Sequence, residues 1–119
     1  SDIGYINAHG TSTPLGDKAE TLAVKSVFGG RECAPPMSST KSATGHLMGA
    51  GGLTEVIACI MALREGVLPP TLHLDTPDPD CDLDYVPNTA RKADISAAMS
   101  NSLGFGGQNS SIIVAKYEL

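Results

Sequence analysis

The chain has 119 residues, 41% of them hydrophobic, which suits one domain with a single hydrophobic core. Its formal net charge of −5 at pH 7 argues against non-specific nucleic-acid binding, because the eight Lys and Arg residues are scattered rather than clustered. The longest apolar, uncharged run, 56–63, is much shorter than the roughly 20 residues that cross a bilayer, so we expect no membrane partner.

The cysteines Cys33, Cys59 and Cys81 are widely separated and have neither CxxC nor Cys/His ligand spacing. This pattern indicates neither a disulfide framework nor a metal site, and it favours a reducing compartment. We expect the cytoplasm, or an organelle if a targeting segment is missing. The chain starts without Met and runs directly into an apolar strand, so we interpret it as a piece of a longer polypeptide.

Residues 3–9 predict a short buried strand that ends at a loop rich in Gly, Ser, Thr and Pro. His9 then lies at the C-terminal end of a strand, the edge at which open α/β sheets bind ligands, although a structural role is equally open. Thr11 and Thr13 alternate in an extended segment. Their hydroxyls could line a groove for an amide-bearing ligand, or could satisfy loop backbone groups.

A first helix is predicted next, because apolar residues recur at helical spacing until Gly29 and Gly30 end the pattern. Asp17 and Glu20 have the spacing of a capping box at its start. Residues 37–40 suit a second strand, which would bring the residue after it to the same sheet edge as the first strand.

A cation, a histidine and several glycines converge in the segment 39–55, STKSATGHLMGAGGLTE. Thr44 fits an N-cap, which would place His46 in the first turn of a helix over about 45–64. The helix dipole would bias the imidazole toward its neutral form, able to donate a hydrogen bond to a developing negative oxygen. Lys41 would add a nearby positive charge. The alternative is a glycine-rich turn with an incidental histidine.

The predicted helix over 45–64 is apolar around most of its circumference, which predicts burial on more than one side. Glu55 is the exception. It lies about half a turn around the helix from His46, so we expect no direct contact between them. A buried carboxylate held by loop N–H groups or by a cation, in support of the site, is the interpretation we favour.

The segment 65–94 is rich in Pro and Asp and predicts an ordered surface excursion with a short extended piece at 83–86. His73 has no partner of catalytic type nearby in the sequence, and we interpret it as structural. Strands are then predicted at 95–101 and 111–118. In the loop between them, SLGFGGQN, flexible backbone on both sides of Phe105 would let its ring move and its N–H point into a pocket.

Three motifs occur in order: AHGTSTPLGD (8–17), STKSATGHLMGAGG (39–52) and NSLGFGGQN (101–109). Together they resemble the C-terminal half of the elongating β-ketoacyl-[acyl-carrier-protein] synthases, most closely the type II enzyme of fatty acid synthesis. The resemblance implies an α/β fold, the C-terminal half of a thiolase-like fold with a mixed sheet packed with helices. Residues 1–119 would form this one domain, and the N-terminal half with the nucleophilic Cys would be absent.

The resemblance also implies an acyltransferase that catalyses decarboxylative Claisen condensation of an acyl thioester with malonyl-carrier protein. Carried over by matching motif, His9 and His46 would hold the malonyl thioester and stabilise the enolate. Lys41 would tune the field around them, and Glu55 would hold the site together.

The other implied roles concern the acyl and carrier arms. Thr11 and Thr13 would hydrogen-bond the phosphopantetheine arm, and Phe105 would be a gating ring whose N–H completes the acyl oxyanion hole. Leu103 stands where the family commonly has an aromatic residue, so the detail of acyl-chain gating stays open.

The resemblance implies no metal and no cofactor beyond the phosphopantetheine carried by the acyl carrier protein. Its implied partners are the acyl carrier protein, the N-terminal half of the same enzyme, and a second copy in a homodimer of the full enzyme. No cysteine here has a nucleophile's setting, so we expect no activity from this chain alone. Alternative functions are the C-terminal half of a polyketide ketosynthase, a chain-length-factor-like partner, or a plain carrier-protein-binding module.

Overall fold

A mixed sheet of four strands lies at the centre of the fold in a computed structural model, which describes residues 2–117. In chain order the elements are β1 (Tyr5–Asn7), α1 (Pro14–Phe28), β2 (Met37–Ser38), α2 (Lys41–Thr44), α3 (Gly51–Glu65), β3 (Val67–Leu68), β4 (Arg91–Lys92), β5 (Ala97–Leu103) and β6 (Asn109–Ala115). Two 3₁₀ turns occur at Arg31–Cys33 and Met48–Ala50.

The strands of the central sheet lie in the order β2, β1, β5, β6. β1 is parallel to both β2 and β5, whereas β6 runs antiparallel to β5. The carboxyl ends of β1, β2 and β5 therefore meet at one sheet edge. β3 and β4 form a separate antiparallel pair, which the sequence patterns did not predict.

A helix covers each face of the sheet, because successive side chains of a strand point to opposite faces. Tyr5 packs with Cys59 of α3, whereas the neighbouring Ile6 packs with Val24 of α1. The result is a three-layer α/β/α arrangement, which confirms the predicted mixed sheet packed with helices.

The first helix begins earlier than its predicted capping box. Pro14 occupies its first turn, where a missing N–H costs nothing, and the side chain of Asp17 accepts a hydrogen bond from the Ser12 N–H instead of capping the helix. The predicted end is confirmed, since Gly29 adopts a left-handed conformation at φ 83°.

The predicted continuous helix over 45–64 is wrong at its start. Lys41–Thr44 forms a single helical turn of its own, and Gly45 at φ 74° then breaks the helix. Thr44 is thus the last residue of α2 rather than an N-cap. Since α3 begins only at Gly51, His46 lies in the segment between the two helices.

The prediction that the central helix is buried on more than one side is also wrong, as far as the described residues 2–117 show. α3 buries one face, which includes Glu55 and Cys59. Its other side exposes Leu53 by 68% and Ile57 by 50%, together with parts of Ile60 and Met61.

The predicted ordered excursion over 65–94 is confirmed, and ion pairs of 2.7 Å from Lys18 to Asp80 and from Lys25 to Asp82 fasten it to α1. The piece at 83–86 forms no strand among the described residues. The last two strands begin and end about two residues away from their predicted positions, and residue 118 lies outside the described part of the chain. No helix within 2–117 is long and apolar enough to span a membrane.

Candidate active site

His9 lies two residues after the last residue of β1, at the carboxyl edge of the sheet, as predicted. The N–H groups of His9 and Gly10 both donate to the buried carboxylate of Glu20, each at 3.0 Å. Glu20 therefore holds the backbone of the strand end. The sequence analysis missed this role, although the position of Glu20 four residues before the apolar Val24 places it on the sheet-facing side of α1.

The Glu20 carboxylate also joins more distant strands. Nδ2 of Asn101, in β5, donates to it at 3.4 Å, and the Ser111 hydroxyl of β6 donates to Oδ1 of Asn101 at 2.7 Å. This network ties α1, the end of β1 and both C-terminal strands together, so the position of His9 depends on all four elements.

Lys41 and Glu55 form an ion pair next to the main chain of His9. Their side chains are only 8% and 4% exposed, and Nζ of Lys41 donates to the Glu55 carboxylate. Nζ also donates to the main-chain carbonyl oxygen of His9 at 2.6 Å. The expectation that a cation holds a buried Glu55 carboxylate is confirmed. The pair connects α2, α3 and the end of β1.

The imidazole of His46 is held by the backbone rather than by a helix terminus. Its Nδ1 accepts a hydrogen bond of 3.2 Å from the Met48 N–H, and Met48 itself has a left-handed φ of 51°. Because Nδ1 accepts this hydrogen bond, the geometry fits the tautomer with its proton on Nε2. His46 lies outside the first turn of α3, so the predicted effect of a helix dipole on its ring does not apply. The hydrogen bond from the Met48 N–H orients the ring instead.

The two imidazoles lie close together. The ring centroids of His9 and His46 are 5.8 Å apart and the rings are nearly perpendicular, at 86°. Burial, and next the charge of Lys41, lower the pKa of His9, which favours a neutral ring there as well. Two neutral imidazoles at this distance can both donate an N–H to one oxygen atom placed between them.

A cavity of about 530 Å³ opens beside His46 and Lys41, and His9 does not line it. Among the predicted site residues, Thr11, Thr13, Lys41 and His46 contribute to its walls, and the 65–94 excursion supplies the opposite side. His73 lines it too, so its interpretation as purely structural stays a prediction. No cluster of three or more His, Cys, Asp or Glu side chains within residues 2–117 could hold a metal ion.

Phe105 is not packed against the histidines in the described part of the chain. Its ring is fully exposed in the turn between β5 and β6, followed by Gly106 and Gly107 in left-handed conformations. Because β5 is parallel to β1, this turn lies at the carboxyl edge of the sheet, the same edge as His9.

The sequence matches a family profile described as "Beta-ketoacyl synthase, C-terminal domain" over residues 1–75. It is 52% identical to 3-oxoacyl-[acyl-carrier-protein] synthase 2 of Staphylococcus aureus (strain COL) over 117 residues, which cover 98% of this chain and 28% of that protein. The chain thus spans less than a third of the length of this relative.

Two solved structures share the fold. The ishigamide ketosynthase/chain length factor superposes with a TM-score of 0.94 at 41% identity, over 98% of this chain and 28% of that one. A ketosynthase structure with a type II polyketide acyl-carrier protein superposes with a TM-score of 0.93 at 38% identity, over 98% and 29%. Since the family profile covers more than half of the 119 residues, the chain belongs to the β-ketoacyl synthase family and corresponds to its C-terminal domain.

Proposed function

We propose that this chain is the C-terminal part of a 3-oxoacyl-[acyl-carrier-protein] synthase and supplies the decarboxylation site for Claisen condensation. The observation that carries the proposal is the approach of the His9 and His46 rings to 5.8 Å, with the buried Lys41 next to His9. The identity of 52% to 3-oxoacyl-[acyl-carrier-protein] synthase 2, against 38% to a ketosynthase of type II polyketide synthesis, favours fatty acid elongation.

In this function the thioester oxygen of malonyl-carrier protein lies between the two imidazoles. The bond to the carboxylate carbon breaks, carbon dioxide leaves, and the electron pair forms an enolate whose negative charge is on the thioester oxygen. His9 and His46 donate hydrogen bonds to that oxygen, each worth about 3 kcal/mol in the transition state when well aimed. The positive charge of Lys41, kept in place by Glu55, stabilises the same negative charge at longer range.

The enolate carbon then attacks an acyl thioester on a cysteine outside this chain, and the cysteine leaves as a thiolate. Nothing in the settings of the three cysteines here suits that role. Cys59 is buried, which raises its pKa to about 11, Cys33 is exposed at the end of a 3₁₀ turn, and Cys81 lies in the Asp-rich excursion. We therefore assign the nucleophile to an N-terminal half of the same enzyme.

Thr11 and Thr13 line the cavity next to His46, and their hydroxyls suit hydrogen bonds to the amide groups of a phosphopantetheine arm. The carrier protein delivers this arm, and the similar polyketide ketosynthase crystallised with its acyl-carrier protein supports such a partner. Phe105, on a turn with two left-handed glycines, would move over the acyl chain as a gate. The full enzyme is, in this proposal, a homodimer.

The test uses the full-length protein that contains this chain and measures carbon dioxide release from malonyl-carrier protein. His46→Ala should lower the rate at least a hundredfold, because it removes one donor to the developing oxyanion, a loss of about 2.7–4 kcal/mol. His73→Ala is the matched control, since this third histidine lines the same cavity without lying beside His9. Equal rates in His46→Ala and the parent would exclude the proposed role.

The product distinguishes fatty acid from polyketide synthesis. With an acyl primer, malonyl-carrier protein and no reductase, one condensation gives a 3-oxoacyl product two carbons longer than the primer. A poly-β-ketone chain would instead show a polyketide ketosynthase. No carbon dioxide from the parent, with carrier binding retained, would show a non-catalytic partner.

A further inference from the structure

A buried pair of polar side chains joins β1 to the segment that carries Lys41. Asn7 is the last residue of β1, and Thr40 immediately precedes Lys41. Nδ2 of Asn7 donates to the Thr40 hydroxyl at 3.2 Å, and that hydroxyl lies 3.3 Å from Oδ1 of Asn7, to which it can donate. Both residues are buried, so their polar groups need hydrogen-bond partners, which Asn7 and Thr40 supply to each other.

Thr40 occupies the N-cap position of α2 but does not use its hydroxyl as N-cap residues usually do. Within residues 2–117 this hydroxyl caps no N–H of the helix, and only the main-chain carbonyl of Thr40 accepts hydrogen bonds from Ala43 and Thr44. A helix of one turn is not stable by itself, so α2 depends on contacts with the rest of the fold. The hydroxyl provides such a contact, to the neighbouring strand.

A second hydrogen bond joins the same two segments. Nζ of Lys41, the residue after Thr40, donates to the carbonyl oxygen of His9, two residues after Asn7. We propose that Thr40 is a positioning residue, which through Asn7 holds the start of α2 so that Lys41 reaches both the His9 carbonyl and Glu55. The inference rests on the proposed decarboxylation function, in which the place of Lys41 sets the field around the imidazoles.

The effect of Lys41 on His9 can be followed separately from turnover. The charged and titratable groups that act on His9 are Lys41, Glu55, His46 and Asp17, and among them Lys41 has the largest electrostatic effect and lowers the pKa. If Lys41 moves away from His9, the pKa of His9 should rise toward that of an ordinary histidine. A change confined to packing elsewhere in the sheet would leave it where it is.

The experiment compares Thr40→Val with Thr40→Ser in the full-length protein. Valine keeps the shape of threonine but removes the hydroxyl, and we expect kcat for carbon dioxide release to fall about tenfold, with KM for malonyl-carrier protein within about twofold. Serine keeps the hydroxyl and should retain most of the parent's kcat. Should Thr40→Val fail to fold, Thr40→Ala is measured in the same way.

Ser38→Ala is the matched control. The Ser38 hydroxyl is also buried and joins the same two segments, because the Tyr5 hydroxyl lies 2.7 Å from it and it donates to the Pro69 carbonyl at 2.6 Å. Its hydroxyl makes no direct hydrogen bond to Asn7, Thr40 or Lys41 in the described part of the chain. General loosening of the β1–β2 pair should therefore appear in Ser38→Ala, whereas misplacement of Lys41 should not.

The second readout is the pKa of His9, from NMR titration of protein labelled at histidine Cε1, with His9→Asn to assign the resonance. Thr40→Val should raise this pKa, and Thr40→Ser and Ser38→Ala should not. Unchanged kcat and pKa in Thr40→Val, or an equal loss in Ser38→Ala, would overturn the inference. A parent that releases no carbon dioxide would overturn the proposed function, while the NMR readout would still report whether Thr40 positions Lys41.

Discussion

The ion pair between Lys41 and Glu55 connects two helices that begin ten residues apart in the sequence, and both of its side chains are more than nine-tenths buried. A buried pair of this kind is costly to break, because the remaining partner becomes an isolated charge in a poorly polarisable environment.

Lys41→Met should therefore lower the free energy of unfolding of the full-length protein by about 3–5 kcal/mol, measured by urea denaturation. The double variant Lys41→Met/Glu55→Leu should recover much of that loss, because it leaves no unpaired charge, but it should not recover decarboxylation. Lys116→Met is the control, because its pair with Asp94 is largely exposed and should contribute little to stability. Full activity in the double variant would contradict the role given to Lys41.

The protonation of His9 should depend on its charged neighbours in a definite direction. Burial and Lys41 disfavour the imidazolium, so the pKa of His9 in the folded protein should lie below that of an ordinary histidine, and the ring should be neutral at pH 7. Lys41→Met should raise the pKa of His9, whereas Glu55→Gln, which removes a negative charge that raises it, should lower it further. NMR titration of labelled histidine measures both changes, and shifts in the same direction would contradict this account.

Glu20→Ala should destabilise the protein and slow decarboxylation together. The substitution leaves the His9 and Gly10 N–H groups without the carboxylate, and each unpaired donor costs about 1–3 kcal/mol if it stays buried. We expect a loss of about 3 kcal/mol in unfolding free energy by urea denaturation and a lower kcat. The exposed Glu32→Ala is the control, with a change within about 0.5 kcal/mol. A stable Glu20→Ala variant with normal kcat would show that His9 is held by other contacts.

The 119-residue chain made alone should associate and should be inactive. The exposed apolar side of α3, with Leu53 and Ile57, has no partner within residues 2–117, and no described strand pairs with the outer edge of β6. Light scattering should show dimers or aggregates, and Ile57→Glu should reduce them more than Leu22→Glu on α1. A monodisperse monomer at high concentration would contradict this prediction. Activity should appear only when the N-terminal half is added.

Local patterns in the sequence were sufficient for the strand ends that carry His9 and Lys41, for the Gly29 helix stop and for the mixed α/β class. These features depend on residue-level preferences, such as glycine at left-handed φ and β-branched residues in strands, so they can be predicted without knowing what packs against them. The three motifs identified the family for the same reason, since each is a continuous run of residues.

The tertiary structure decided what those residues touch. The sequence predicted only that some cation lies near Glu55, and the contact of Glu20 with the His9 backbone was missed. His46 was predicted in the first turn of a helix, but it lies before α3, because the left-handed Gly45 ends α2. The partners are 14 residues apart in the Lys41–Glu55 pair and 11 residues apart in the contact of Glu20 with His9. Whether these side chains come into contact depends on how α1, α2 and α3 pack on the sheet. Local secondary-structure propensity does not determine the distances between residues on different elements.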